Sequence, residues 1–182
     1  MHDKEVEEKI LNLFKNDKTK NEGFNLLVNH FKETVYLQIR RIVVSHDNTD
    51  DVLQEVFIKC WNKLNTFNGK SKLSTWIYRV AYNEAIQWIR KNKKEYHLDI
   101  TEIRSIDQPS NNIFHKDADE ISLLLEKSIY QLPEKQRMVF QLKYFDDLSY
   151  KEIQKITGIS IGGLKANYHH AVAKIKLFLS EN

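Results

Sequence analysis

Between Phe24 and Val43 the apolar residues Phe24, Leu27, Val28, Phe31, Val35, Ile39 and Ile42 recur at steps of three and four. That spacing predicts one face of an amphipathic helix. The polar run Ser45, His46, Asp47, Asn48, Thr49 and Asp50 reads as a turn rich in N-cap candidates. From Asp51 a second helix is expected, with Leu53, Val56, Phe57, Cys60, Trp61 and Leu64 on one stripe. Asn65 to Lys72 is a polar loop carrying Gly69, with Phe67 as its large apolar residue. A third helix is expected from near Ser74 to about Lys93, unusually aromatic in Trp76, Tyr78, Tyr82 and Trp88. Its core-facing stripe is Ile77, Val80, Ala81 and Ala85, while Trp76, Arg79 and Asn83 fall on another face.

Periodicity is lost from about Asn92 to Asp119, a stretch that includes Pro109 and reads as a linker. It resumes with Ile121, Leu124, Leu125 and Ile129. Leu132-Pro133-Glu134 breaks and restarts a helix, Pro133 suiting its first turn, and Val139, Leu142 and Tyr144 continue the apolar face. Ser149-Tyr150-Lys151-Glu152 has the form of a capping box, Ile153 and Ile156 face inward, and Gly158 suits a left-handed helix end. Ile159 plugs the following turn and Ser160 caps a last helix with Leu164, Tyr168, Ala171, Ile175 and Leu179 on its inner face. Two helices joined by a short Gly-containing turn form a helix-turn-helix. The expected fold is all-α: two small helical domains joined by a flexible linker. The boundaries are 1–94, an acidic linker at 95–120, and a helix-turn-helix domain at 121–182.

Composition supports long helices, since two prolines and five glycines in 182 residues are too few for a many-stranded sandwich or barrel. The net charge of +3 is too small to name a partner, so its distribution matters more. Lys70, Lys72, Arg79, Arg90, Lys91, Lys93 and Lys94 are opposed only by Glu84, and the sign reverses from Thr101 to Glu120. Cys60 is the one cysteine, so no internal disulfide can form, and its place in an apolar stripe marks a buried small hydrophobe. The N-terminus has no apolar signal core and no apolar run approaches the ~20 residues of a membrane span, so a cytoplasmic protein without direct membrane insertion is expected.

In the DNA-binding use of a helix-turn-helix, the second helix enters the major groove with its N-terminal residues on base edges. Ser160, Lys165, Asn167, His169 and His170 can donate to phosphates or bases there, and Gly162 and Gly163 allow close backbone approach. Polar-faced hairpins also occur in bundles that never touch DNA. Adjacent His169 and His170 lie ~100° apart around a helix, which argues against a shared metal ion. No phosphate-binding glycine loop, zinc-helix His-Glu-x-x-His or cysteine cluster is present, so neither an enzyme nor a cofactor is expected.

Four motifs in order resemble the extracytoplasmic-function (ECF) group of bacterial sigma factors, over about Phe24 to Leu179. Asp50-Asp51-Val52-Leu53-Gln54-Glu55-Val56-Phe57-Ile58-Lys59-Cys60-Trp61 looks like the family's polymerase-binding helix. Leu73-Ser74-Thr75-Trp76-Ile77-Tyr78-Arg79-Val80-Ala81-Tyr82-Asn83 looks like its promoter-melting helix. Leu132-Pro133-Glu134-Lys135-Gln136-Arg137 and Leu148-Ser149-Tyr150-Lys151-Glu152-Ile153 look like the entry to its second domain.

The resemblance implies a promoter-recognition subunit whose partners are the β′ and β subunits of core RNA polymerase, promoter DNA and an anti-sigma factor. Asp50, Asp51, Gln54, Glu55 and Ile58 would meet polymerase, though helix-start acids are also favoured by the macrodipole. Phe67, Asn68, Lys70, Lys72, Ser74, Trp76, Arg79 and Asn83 would capture unstacked bases of the minus-ten element, as aromatic and cationic groups do. Trp76 reads equally well as core. Arg90 and Lys91, with Lys93 and Lys94, would meet duplex phosphates, and the last helix would read the minus-thirty-five element. Asn167 and His170 stand where many members carry arginine, Gly163 where many carry threonine or alanine, and Gln87 replaces a frequent acid. A helix-turn-helix activator or repressor outside polymerase is the competing reading, but it gives no reason for the basic aromatic helix.

Overall fold

The computed structural model of the chain describes residues 3–94, Tyr96 and residues 120–181, and every regular element among them is helical. The chain divides into two compact units, Met1–Arg90 and Lys91–Asn182. The first holds α1 (Asp3–Phe14), α2 (Lys20–Val43), α3 (His46–Lys63), a 3-10 turn at Leu64–Thr66, and α4 (Leu73–Lys91). The second holds α5 (Glu120–Gln131), α6 (Glu134–Tyr144), α7 (Tyr150–Thr157) and α8 (Ile161–Glu181). The expected linker falls largely outside the described residues. Tyr96 is described, only 6% exposed within the second unit, and its hydroxyl accepts from the Arg137 guanidinium.

Helix α1 was not among the expected elements. Its buried residues Val6, Ile10 and Phe14 recur at steps of four and dock it on α2. The approach is close enough to demand glycine: a Cβ on Gly23 would stand 2.8 Å from the Phe14 nitrogen and 2.9 Å from Leu13 Cβ. Phe14 also meets the Trp61 ring edge-on at 5.5 Å, so α1, α2 and α3 close around one aromatic cluster with Phe24. Lys20 lays its ammonium over the same indole at 4.5 Å.

The polar run Ser45 to Asp50 is not a turn: α3 starts at His46, with Ser45 in the N-cap position but making no side-chain cap bond. The reversal is made at Val44, whose positive φ of 80° strains a β-branched residue and is held by burial of its side chain. Thr49, fully buried, donates its hydroxyl to the Ser45 carbonyl at 2.6 Å and fastens the first turn. Acids in that turn suit the positive end of the helix dipole.

The second unit packs α5, α6 and α8 around Ile129, Leu132, Phe140, Ala171 and Ile175, with Tyr168, Val172 and Leu179 against them. Emptying the Phe140 position would cost about 3–5 kcal/mol by the usual scale for buried aromatics. Tyr144, expected on the apolar face, is 56% exposed. It ends α6 with its ring stacked on Phe140 at 5.1 Å, and Phe145 packs against the core beside it, edge-on to Phe140 at 6.1 Å. Pro133 is the N-cap of α6 rather than a first-turn residue.

The last two helices have the expected supports. Ser149 Oγ accepts from the Glu152 amide at 3.3 Å while Glu152 Oε2 accepts from the Ser149 amide at 2.9 Å. Gly158 closes α7 in the left-handed conformation at φ 76°, which costs glycine no Cβ clash. Ser160 Oγ then accepts from the Gly163 amide at 3.3 Å and starts α8.

Candidate nucleic-acid and polymerase interfaces

Helix α4 buries Leu73, Thr75, Ile77, Ala81, Tyr82, Ala85 and Ile89, which leaves one side of the helix toward solvent. Arg79, Asn83, Gln87 and Arg90 form an exposed strip, and Lys91 at the helix end, Lys93 and Lys94 are also exposed. Ser74 and Trp76 are half-buried. Trp76 is therefore neither simply core nor free: it meets Phe67 at 5.9 Å with the rings inclined at 61°. The loop before it is a built turn. Asn68 Oδ1 accepts from the Lys70 amide at 3.2 Å and Gly69 takes φ 70°, which together hold Lys70 and Lys72 outward. Glu84, the only acid of this basic stretch, is 13% exposed and salt-bridged to Lys59 of α3. Its charge is thus spent on Lys59, inside the unit.

The start of α4 depends on a residue that the sequence reading did not select. Lys72 occupies the N-cap place, since its carbonyl accepts from the Trp76 amide, and a lysine side chain has no acceptor. Glu7 of α1 supplies it, one carboxylate oxygen accepting from the Leu73 amide at 2.9 Å and the other from the Ser74 amide at 3.0 Å. A carboxylate there satisfies two orphan donors and meets the positive end of the helix dipole.

On α3, Asp50, Asp51, Gln54, Glu55 and Ile58 are all exposed and follow one another along one side of the helix. Val52, Leu53, Val56 and Cys60 are buried on the other. Ile58 is 53% exposed, a large apolar group set among acids and an amide. His46 lies one turn before Asp50, its Nδ1 3.5 Å from Asp50 Oδ2. Burial pushes the Cys60 thiol up to about 12, which leaves it protonated and unreactive at neutral pH.

On α8, Gly162, Lys165, His169 and His170 are exposed. The two histidine rings lie 6.0 Å apart at 67°. Other candidates of this helix have structural work. Ser160 is exposed and also caps the helix. Asn167 donates its Nδ2 to the Gly163 carbonyl at 2.8 Å, so its amide is held along the helix. A Cβ on Gly163 would come to 3.2 Å from Ile159 Cγ2 and 3.3 Å from Ser160 Oγ, so this glycine fits the tight entry to α8, whereas Gly162 faces open space. Among the described residues no cluster of three or more His, Cys, Asp or Glu is arranged to hold a metal ion.

Sigma-70 region 2 matches residues 27–95 and Sigma-70, region 4 matches residues 114–175. The chain is 33% identical over 159 residues to ECF RNA polymerase sigma factor SigW of Bacillus subtilis, covering 81% of this chain and 84% of that one. The chain belongs to the ECF group of RNA polymerase sigma factors. It is also 31% identical over 161 residues to the ECF RNA polymerase sigma-E factor of Escherichia coli K12, covering 82% of each chain. The fold of this ECF sigma factor is similar to that of the sigma factor RpoE in its complex with the anti-sigma factor NepR from Bartonella quintana. There the TM-score is 0.69 at 20% identity, over 86% of this chain and 96% of that one. CnrH, solved with the cytosolic domain of CnrY, gives a TM-score of 0.66 at 17% identity, over 99% and 98%. Region 2 spans the exposed faces of α3 and α4, and region 4 spans the helix-turn-helix, so a stand-alone repressor is not favoured. Glu7 lies outside both matched segments.

Proposed function

We propose that this ECF sigma factor divides promoter recognition between its two units. The α3 face of Asp50, Asp51, Gln54, Glu55 and Ile58 docks on a coiled coil of the polymerase β′ subunit. Its exposed apolar residue among polar groups suits a wet, specific contact. The loop 67–72 and the α4 face of Ser74, Trp76, Arg79 and Asn83 capture unstacked bases of the minus-ten element, the aromatics by stacking and the cations along the backbone. Arg90 and Lys91 hold the adjoining duplex phosphates. The exposed side of α8 docks on the minus-thirty-five element, with Lys165 on phosphate, His169 and His170 toward base edges, and Ser160, Gly162, Gly163 and Asn167 shaping its entry. The observation that carries the reading is the α4 face: aromatic at one end, cationic along its length, its only acid turned inward to Lys59.

The protein acts in the cytoplasm, adds no catalytic group of its own to the polymerase, and is held inactive by an anti-sigma factor. Among the described residues no helix is long and apolar enough to cross a membrane. Run-off transcription with purified core polymerase over a genomic library tests the whole scheme. Discrete promoter-specific transcripts that depend on this chain are expected. Failure of the purified chain to bind core polymerase would overturn it.

A further inference from the structure

We propose that Glu7 is a positioning residue for promoter opening, acting through the first turn of α4. The inference rests on the reading of α4 and its preceding loop as the base-capturing surface. The Glu7 carboxylate spans sequence separations of 66 and 67 residues to take both the Leu73 and the Ser74 amides. It is the acceptor that Lys72, in the N-cap place, cannot supply. The carboxylate is itself fixed, because Val6 and Ile10 on either side of it are buried and the close approach at Gly23 locks α1 to α2.

What depends on the cap is the surface built around the helix start. Trp76 lies within the first turn after the capped amides and packs on Phe67, while Lys70 and Lys72 project from the loop between. Without the carboxylate, the first turn of α4 loses the acceptor for two donors and frays, as helix ends do when uncapped. The Phe67–Trp76 pair then no longer has one geometry. A stacking platform needs its rings held before the base arrives, because ordering them during binding opposes the gain from stacking. α1 is therefore a brace that reaches the DNA-facing loop from 66 residues earlier in the sequence.

The test compares Glu7→Ala, Glu7→Gln, the charge control Glu5→Ala and the reference variant Trp76→Ala, each assembled with core polymerase. The probe is a fluorescent single-stranded oligonucleotide carrying the non-template strand of a promoter the holoenzyme transcribes. Glu7→Ala should capture it about tenfold more weakly, a change of ~1.4 kcal/mol, with unchanged affinity for core. Glu7→Gln, which keeps one carbonyl acceptor, should fall between, and Glu5→Ala should match the parent. Amide exchange at Leu73 and Ser74 should quicken in Glu7→Ala. Normal capture by Glu7→Ala beside weak capture by Trp76→Ala would overturn the inference and leave the reading of α4 standing. Normal capture by both would remove the reading of α4 and the inference with it. Equal loss of core binding and strand capture in Glu7→Ala would mark a merely structural residue and also overturn it.

Discussion

Replacing Ser149 by alanine should open α7 without unfolding the unit around it. The helix has eight residues and buries only Ile153 and Ile156. Isolated helices shorter than ~12–15 residues are marginal in water, so so short an element relies on its ends and its packing. Ser149→Ala removes the hydroxyl that accepts from the Glu152 amide at 3.3 Å and that donates to Glu152 Oε2 at 2.7 Å. It leaves the second arm of the box, in which the carboxylate accepts from the residue-149 amide at 2.9 Å. The site is exposed, so water can take over the freed amide and no buried-donor penalty is added. The cost should therefore lie near the middle of the usual range for an N-cap, ~1 kcal/mol. Hydrogen exchange reads that number directly, because amides of α7 that exchange by local opening should do so about fivefold faster. Amides of α6 should be unchanged. Unchanged exchange throughout α7 would refute the argument that its first turn limits its stability. A uniform increase across the second unit would show that α7 does not open by itself.

Two further predictions follow from burial and exposure. Native Cys60 should resist a thiol reagent at neutral pH and react fully in urea, because burial raises the thiol from 9.0 to about 12. The folded value lies above the unfolded one, so the contribution to stability is whole below about 9 and is lost as pH rises toward 12. Urea titrations across that interval should show a slope that Cys60→Ala reduces, and rapid native labelling would contradict the buried position. Lys165→Ala should weaken promoter binding on every sequence alike and reduce the slope of log affinity against log salt by about one, as loss of one phosphate contact does. An unchanged slope with relaxed preference at one base pair would instead assign Lys165 to a base edge.

The helices were readable where burial repeats at steps of three and four, as in Leu27 to Ile42 and Leu164 to Ile175. They were not where local chemistry admits two outcomes. Serine, aspartate, asparagine and threonine favour N-caps, yet acids are equally at home in the first turn of a helix. The run Ser45 to Asp50 could not choose between the two by itself. The choice falls to the buried Thr49 and to the strained reversal at Val44, both products of tertiary packing. α1 escaped because its stripe of Val6, Ile10 and Phe14 is short and set among many charges. Tyr144 keeps its ring on Phe140 yet is exposed, because periodicity gives a face but not the residue at which a helix ends.

The same distinction separates what was legible in the site from what was not. Exposure along α3 and α4 follows in large part from the apolar stripe, since the side opposite it faces water. Asp50, Asp51, Gln54, Glu55 and Ile58, with Arg79, Asn83 and Arg90, could be selected that way, although Thr49, Thr75 and Tyr82 lie outside the stripe and are buried. Pairing does not follow from any stripe. Asn167 has the composition of a base reader, but its amide is engaged with the Gly163 carbonyl. Glu84 looks like a blemish in a basic surface until Lys59 is found to hold it. Glu7 looks like one acid among several in a charged terminus, yet it caps a helix that begins 66 residues later. In each case a polar group is assigned by the partner it meets in three dimensions. A side chain already bonded within the protein must give up that bond before it can read DNA, whereas an exposed and unengaged one gives up only water. On that ground Lys165 is a better candidate than Asn167 for the contact that anchors α8, although both lie near its start and both can donate. Arg79 has the same advantage on α4, where it is exposed and Glu84, the one acid of that helix, is paired with Lys59.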